Sequence, residues 1–549
     1  MRTLACALLV VGAPAQARIV ASLAPERPVA AYRCVDLDGD GRAELVLVGE
    51  DGTLTAWTLE EDKLRARASL ALPDPDACLC VFEDLDGKPG AEVVVAHRGG
   101  VVAFALHGDS FGSGQLVEKR AAFRLRTGRP EVSPFVRDLN GDGRADLVLP
   151  GARENEIWLR DPGEALAFSR ALTVPSDAGI THTSRAVGLH KTLASRINVP
   201  PLDTVDLNGD GRLDLRQETD SRFGYRLQGA DGSFGDVREV DLSLFQDTTP
   251  RGTVTLGATA ALSDTTRLSS RDLDGDRIPD YVIVHRRKVW VFLANARGPQ
   301  FETPHDVKAV AEDVTATLLV DLDADARADL LLLRVQVPSA AALALGLVRS
   351  IDVDLHAVGY RNQGKQDDGA REGAGVFAPT PAWRRTVTLR VPPLLSLFEQ
   401  QEDLAQRFLS ILDKVRFAAR GEFDGEAPRD VVRASDDGKT LELWPGVGDA
   451  GDAAVTARGE KALAEVLFQL EDTVFDLDRL FLLLDGFLSG ERAATQSGAT
   501  AAMTLPSRTR PEFTLAELVA GDLDGDGRDE VIASYRDARG ARVFDVVRW

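Results

Sequence analysis

Little in this chain can be cross-linked, stacked or threaded through a bilayer. Of 549 residues, four are cysteine and two methionine, and aromatic residues make up 6%. Four cysteines are too few to frame a chain of this length with disulfides. Cys34 and Cys80 each precede an acidic loop. A bridge between neighbouring repeats is one reading, and three small buried residues at Cys34, Cys78 and Cys80 is the other. After the first residues no run is long and apolar enough to span a membrane. Positive charge is in deficit, 64 basic against 86 acidic residues for a net charge of −22, which argues against nucleic acid or an anionic membrane as partner. The seven histidines show no HExxH or other zinc spacing, and there is no GxSxG elbow and no Walker-type phosphate loop. Zinc hydrolysis, serine-nucleophile chemistry and nucleotide binding thus lack their usual signatures.

What the chain does have is an acidic loop that recurs eight times and runs each time into an apolar strand. The loops start at Asp36, Asp84, Asp138, Asp206, Asp272, Asp321, Glu422 and Asp522. A repeat of this kind dictates architecture before any other feature is weighed. Counted from its own first residue, each loop places side-chain oxygens at positions 1, 3 and 5 and a further carboxylate at position 9. Hard oxygen ligands at this spacing suit calcium. The best sets are Asp36, Asp38, Asp40 and Glu44; Asp138, Asn140, Asp142 and Asp146; Asp206, Asn208, Asp210 and Asp214; Asp272, Asp274, Asp276 and Asp280; Asp321, Asp323, Asp325 and Asp329; and Asp522, Asp524, Asp526 and Glu530. Glycine at position 4 allows positive φ, and glycine at position 6 lets the chain turn back toward a strand. Position 7 (Arg42, Arg144, Arg212, Ile278, Arg327 and Arg528) is expected to offer its backbone carbonyl, with the side chain free to point away.

An EF-hand would need a bidentate Glu at position 12 and a helix after it. Position 12 here is Leu47, Leu149, Gln217 or Ala533, inside strand-like sequence. The loop therefore opens a β-hairpin. Some copies depart from the pattern. Ala324 and Ala326 replace glycine in the sixth loop. Lys88 stands at position 5 of the second, which predicts a weak or empty site there. The Glu422 loop has Asp424, Glu426 and Asp430 with Pro428 at position 7. A single loop of this type reads as a solvated Asx-turn; eight matched copies do not.

Loop starts lie 48 to 68 residues apart as far as Asp321, then 101 and 100 apart. The shorter spacings fit four antiparallel strands. In the first unit Val29–Val35 leads into the loop, Glu44–Val48 follows, Asp51-Gly52 signals a turn, and two further strands complete the set. Four-stranded units repeated radially are β-propeller blades. Only two strand-like runs follow the last loop, and residues 18–23 form a spare strand at the start. Pairing the two ends would close the ring and hide an edge. The expectation is an all-β, eight-bladed propeller over residues 18–549, with seven blades if the loop at Asp84 or Glu422 belongs to a decorated unit.

The loops resemble the FG-GAP/VCBS repeats of integrin α-subunit propellers and of bacterial secreted propellers. The shared motif is Asp-x-Asp/Asn-Gly-Asp-Gly-x-x-Asp/Glu before an apolar strand, and Phe111-Gly112 and Phe234-Gly235 match the family's Phe-Gly element. The resemblance covers nearly the whole chain after residue 17. It implies several bound Ca²⁺ ions. It leaves function open, because the family includes adhesion receptors, lectin-like proteins and polysaccharide lyases.

The long spacings carry helical periodicity, with Leu397, Leu404, Phe408 and Ile411 in one and Leu463, Val466, Leu470 and Val474 in the other. Helical insertions are predicted at 393–418 and 456–490, flanking the seventh blade on the face opposite the acidic loops. Trp57, Trp158, Trp290 and Trp444 fall at similar places on third strands, which reads as packing between blades. Residues 1–17 read as an export signal, with Arg2, an apolar run from Thr3 to Val11 and a small-x-small site at Ala15-Gln16-Ala17. The function expected from the sequence is that of a calcium-binding, non-catalytic interaction module, secreted, periplasmic or on the surface of a bacterium. Its partner would be an extracellular or envelope protein or a glycan. The alternative is a polysaccharide lyase or lectin-like propeller.

Overall fold

A computed structural model describes residues 18–118, 128–151, 154–163, 166–175, 202–219, 221–248, 265–310, 313–323, 325–336, 349–364, 375–391, 393, 418–425, 429–434, 440–444, 474–476, 503–506, 513–537 and 539–549. Among them are eight sheets of four or five strands and one two-stranded hairpin. Sheet one contains Val29–Val35, Glu44–Gly49, Thr53–Glu60 and Lys63–Ala71 in sequential antiparallel order. Sheets three, four and five repeat that order over 136–175, 202–241 and 267–309. Sheet two adds Glu131–Val132 in parallel beside its first strand, Leu79–Glu83.

Most second strands are largely apolar on both faces, and Glu44–Gly49 and Asp280–His285 are buried along their whole length, whereas Asp214–Glu218 is mostly polar. A strand that reads as a continuous apolar run is one covered on both sides, and here the covers are the neighbouring sheets. Buried clusters cross every junction from sheet one to sheet six. Others join sheet seven to sheet eight and sheet eight back to sheet one. Sheet eight is built from Phe513–Gly521, Glu530–Asp537 and Arg542–Arg548, with Arg18–Leu23 antiparallel on its outer side. Ser22 and Asp545 hydrogen-bond at 2.6 Å across that pairing. A succession of stacked meanders in which the last sheet packs back on the first is the architecture of a β-propeller.

The helical expectation needs correction at one point. Val474–Asp476 is a strand, parallel to Trp383–Val391 on the outside of sheet six. The apolar periodicity places Val474 in a helical stripe, but Val and Phe both favour strands and pair here with an open edge. The remainder of 456–490, residues 394–417 and residues 1–17 lie outside the described residues. Among the described residues the helical elements are two 3₁₀ turns, Pro75–Ala77 and Leu242–Leu244. No disulfide joins Cys34, Cys78 and Cys80; Cys78 and Cys80 are buried, as the packing reading expects, and Cys34 is half-buried.

Candidate metal centre

Each acidic loop joins the first strand of a sheet to the second. Its geometry follows from short-range hydrogen bonding by its own carboxylates. In the first loop Asp36 accepts from the amides of Gly39 (2.7 Å) and Gly41 (2.9 Å). Asp38 accepts from the Asp40 amide and Asp40 from the Arg42 amide. The same position 1 bonds recur at Asp138, Asp206, Asp272 and Asp522. The chain is thereby curled around its own side chains, each of which keeps lone pairs to spare.

Position 9 does something different. Its carboxylate is buried in all eight loops and accepts from the position 2 amide at 2.8–3.0 Å. In loops three to six, where it is Asp, the second oxygen reaches the amide of a residue at or just past the end of the third strand: Arg160 for Asp146, Gln228 for Asp214, Ala294 for Asp280 and Asn362 for Asp329. Burial pushes Asp146 and Asp329 up to about 6 and Asp280 up to about 7. A charged form so disfavoured is what an adjacent divalent cation relieves.

The carboxylates converge. Ligand atoms lie within 4.8 Å of one another in the sets Asp36, Asp38, Asp40; Asp272, Asp274, Asp276; Asp321, Asp323, Asp325; and Asp522, Asp524, Glu530. Such all-oxygen sets fit a hard cation such as calcium. Asp84, Asp86 and Glu92 also converge, while Lys88 places its Nζ 2.5 Å from Asp86. Residues 426–428 of the Glu422 loop lie outside the described residues.

Position 7 side chains do not point away. Arg42 lies over Gly525 of the preceding loop, Arg528 over Gly425 and Ile278 over Gly209. Arg144 and Arg212 fold back onto Asp142 and Asp210. A methyl group at Gly39 would lie 2.4 Å from the Pro89 backbone, so Gly39 also makes room for the next loop. Backbone bonds reinforce the contact. The position 8 amides of Ala43, Ala91 and Asp529 donate to the position 1 carbonyls of Asp522, Asp36 and Glu422 in the preceding loops. The residues that end the third strands reach across as well. Arg160 donates to the carbonyls of Leu85 and Asp86, Gln228 to that of Asn140 and Asn362 to that of Leu273. These linkers were missed in the sequence; the offset of 14 from position 9 that Arg160 and Gln228 share with Ala294 was the available signal, and Asn362, 33 residues on, lacks it.

Phe111-Gly112 and Phe234-Gly235 occupy matching places, each glycine amide closing a hairpin onto the carbonyl of Ala105 or Leu227 at 2.9 Å. Trp57, Trp158 and Trp444 each pair with the residue after position 9, and Trp290 pairs two residues further on, with Ile283. A groove of about 370 Å³ lies where the connection from sheet five meets sheet six, lined in part by Arg334, His356, Arg384 and Arg385.

No protein-family profile and no curated protein matches this chain. Solved structures do resemble it at low identity. An Agrocybe aegerita lectin, described for recognition of non-reducing terminal N-acetylglucosamine, is 16% identical over 65% of this chain and 80% of its own, with a TM-score of 0.30. Saccharomyces cerevisiae Sqt1 is 8% identical over 96% and 98%, with a TM-score of 0.33. The V. cholerae biofilm matrix protein Bap1 is 12% identical over 97% and 70%, with a TM-score of 0.23. At these values none of them lends this chain a function.

Proposed function

We propose that the chain is a calcium-stapled propeller of the FG-GAP/VCBS type, acting outside the cytoplasm as a non-catalytic module that holds a protein or glycan partner. The observation that carries the calcium reading is the convergence of three carboxylates in loop after loop, each loop pinned by a buried position 9 carboxylate. Calcium would be held by positions 1, 3 and 5, with the position 7 carbonyl, in the loops that begin at Asp36, Asp138, Asp206, Asp272, Asp321 and Asp522. Three junctions are bonded through the position 8 amides of Ala43, Ala91 and Asp529, and others through Arg160, Gln228 and Asn362, so an ion in one loop would brace two sheets.

Extracellular-type sites bind calcium at roughly 10⁻⁴–10⁻³ M. At millimolar calcium each site of that affinity adds about 1 kcal/mol, and several together rival the net stability of an ordinary domain. A thermal melt in millimolar calcium and in chelator tests this reading. The expected outcome is a melting temperature about 10 °C or more higher in calcium. Equal melting temperatures would reduce the loops to plain Asx-turns and remove the calcium argument for an extracytoplasmic location.

A further inference from the structure

Basic side chains touch a single carboxylate at position 3 or 5 in loops two, three, four and six, through Lys88, Arg144, Arg212 and Arg361, but in two other loops an arginine bridges two carboxylates. In loop one the guanidinium of Arg67 sits between Asp38 and Glu44, 2.5 Å from the Glu44 carboxylate and in contact with Asp38. In loop eight Arg548 bridges Asp524 and Glu530, 2.8 Å from the latter. Both arginines therefore span positions 3 and 9. They arrive from different places: Arg67 from the fourth strand of sheet one, Arg548 from the third strand of sheet eight. The Arg67 side chain is 15% exposed and its partners Asp38 and Glu44 15% and 1%.

Position 9 differs between these two loops and loops three to six. In loops three to six it is Asp and uses its second oxygen on an amide at or just past the end of the third strand. Glu44 and Glu530 are one methylene longer and present that oxygen to a guanidinium instead. A planar fork between two carboxylates is a strong, directional charge pair. An ion entering the same loop would have to pull an arginine away from two carboxylates, the position 9 one buried, and leave it only the longer contact of Arg67 to Asp109 (3.6 Å) or of Arg548 to Asp62 (3.5 Å).

We propose that Arg67 and Arg548 are built-in counter-ions that take calcium's place in loops one and eight, so that the seam where the chain's first and last strands meet stands without metal while sheets three to six depend on it. This rests on the calcium reading above and narrows its six sites to the four whose position 9 is Asp146, Asp214, Asp280 or Asp329.

Hydrogen exchange of the full chain in chelator and in millimolar calcium tests it without any variant. Calcium should slow exchange about tenfold or more in 138–146, 206–214, 272–280 and 321–329 and leave 36–44 and 522–530 within about twofold. Equilibrium dialysis with calcium alone should give four ions per chain, five in Arg67→Met or Arg548→Met, and six in the double variant. Equal protection of all six loops, or an unchanged count in folded variants, would overturn the proposal and leave the calcium reading intact. No protection in any loop and no bound ion would overturn both.

Discussion

Positive φ at position 6 of the acidic loop has an isolated cost. Gly41, Gly143, Gly211 and Gly527 have φ of 77–86°, and a methyl group at any of them would meet no atom within 4 Å. Any penalty for a side chain there is conformational, about 1 kcal/mol. Arg277 and Ala326 bear that penalty now, at φ of 70° and 68°. In chelator, Arg277→Gly and Ala326→Gly should each stabilise the fold by roughly 0.5–1 kcal/mol after allowing for the freer unfolded chain. Gly41→Ala should destabilise it by about 1 kcal/mol. Urea titrations would show this as midpoint shifts at constant slope; no shift in either direction would mean that the strain is absorbed elsewhere. Position 4 is another matter, because at Gly39 the Pro89 backbone occupies the space a methyl group needs.

The meander unit is held to its neighbour by side chains at fixed places, and Asn362 is the most fully committed of them. It is buried, donates to the carbonyls of Leu273 and Ala328 at 2.9 and 3.0 Å, and accepts from the Gly364 amide at 2.8 Å. Asn362→Ala strands three polar groups and should cost about 3 kcal/mol, measured by chemical denaturation. A loss under about 1 kcal/mol would show that water replaces the lost bonds. The strands and loops of these units were legible in the sequence because both signals are local: an Asp at alternate positions, then an apolar run. The first unit, from Val29 to Ala71, follows the sequence reading strand for strand. The contacts of Arg67 and Arg548 were not legible. Arg67 meets Asp38 across two turns of the meander, and a register shift between Ala56 and Trp57 sets which way the fourth strand faces. At Val474–Asp476 the helical stripe misled because apolar periodicity carries no information about an open strand edge nearby.

For the molecule as a whole, the decisive pairing is that of Arg18–Leu23 with Arg542–Arg548. The strand supplies Ala21 to the buried cluster shared by sheets eight and one, and its hydrogen bonds cover an edge that would otherwise invite self-association. Deleting residues 18–23 should lower the melting temperature in calcium by about 10 °C or more and shift the protein toward larger species in size-exclusion chromatography. A monomeric variant with an unchanged melt would show that the seam is not needed for closure. The same seam sets a schedule. Ser22 and Asp545 are 523 residues apart, so the earlier strand waits while all the residues between are made before its partner exists. At ordinary elongation rates that wait is on the order of half a minute to two minutes, during which the earliest segment of the ring must stay soluble and uncommitted.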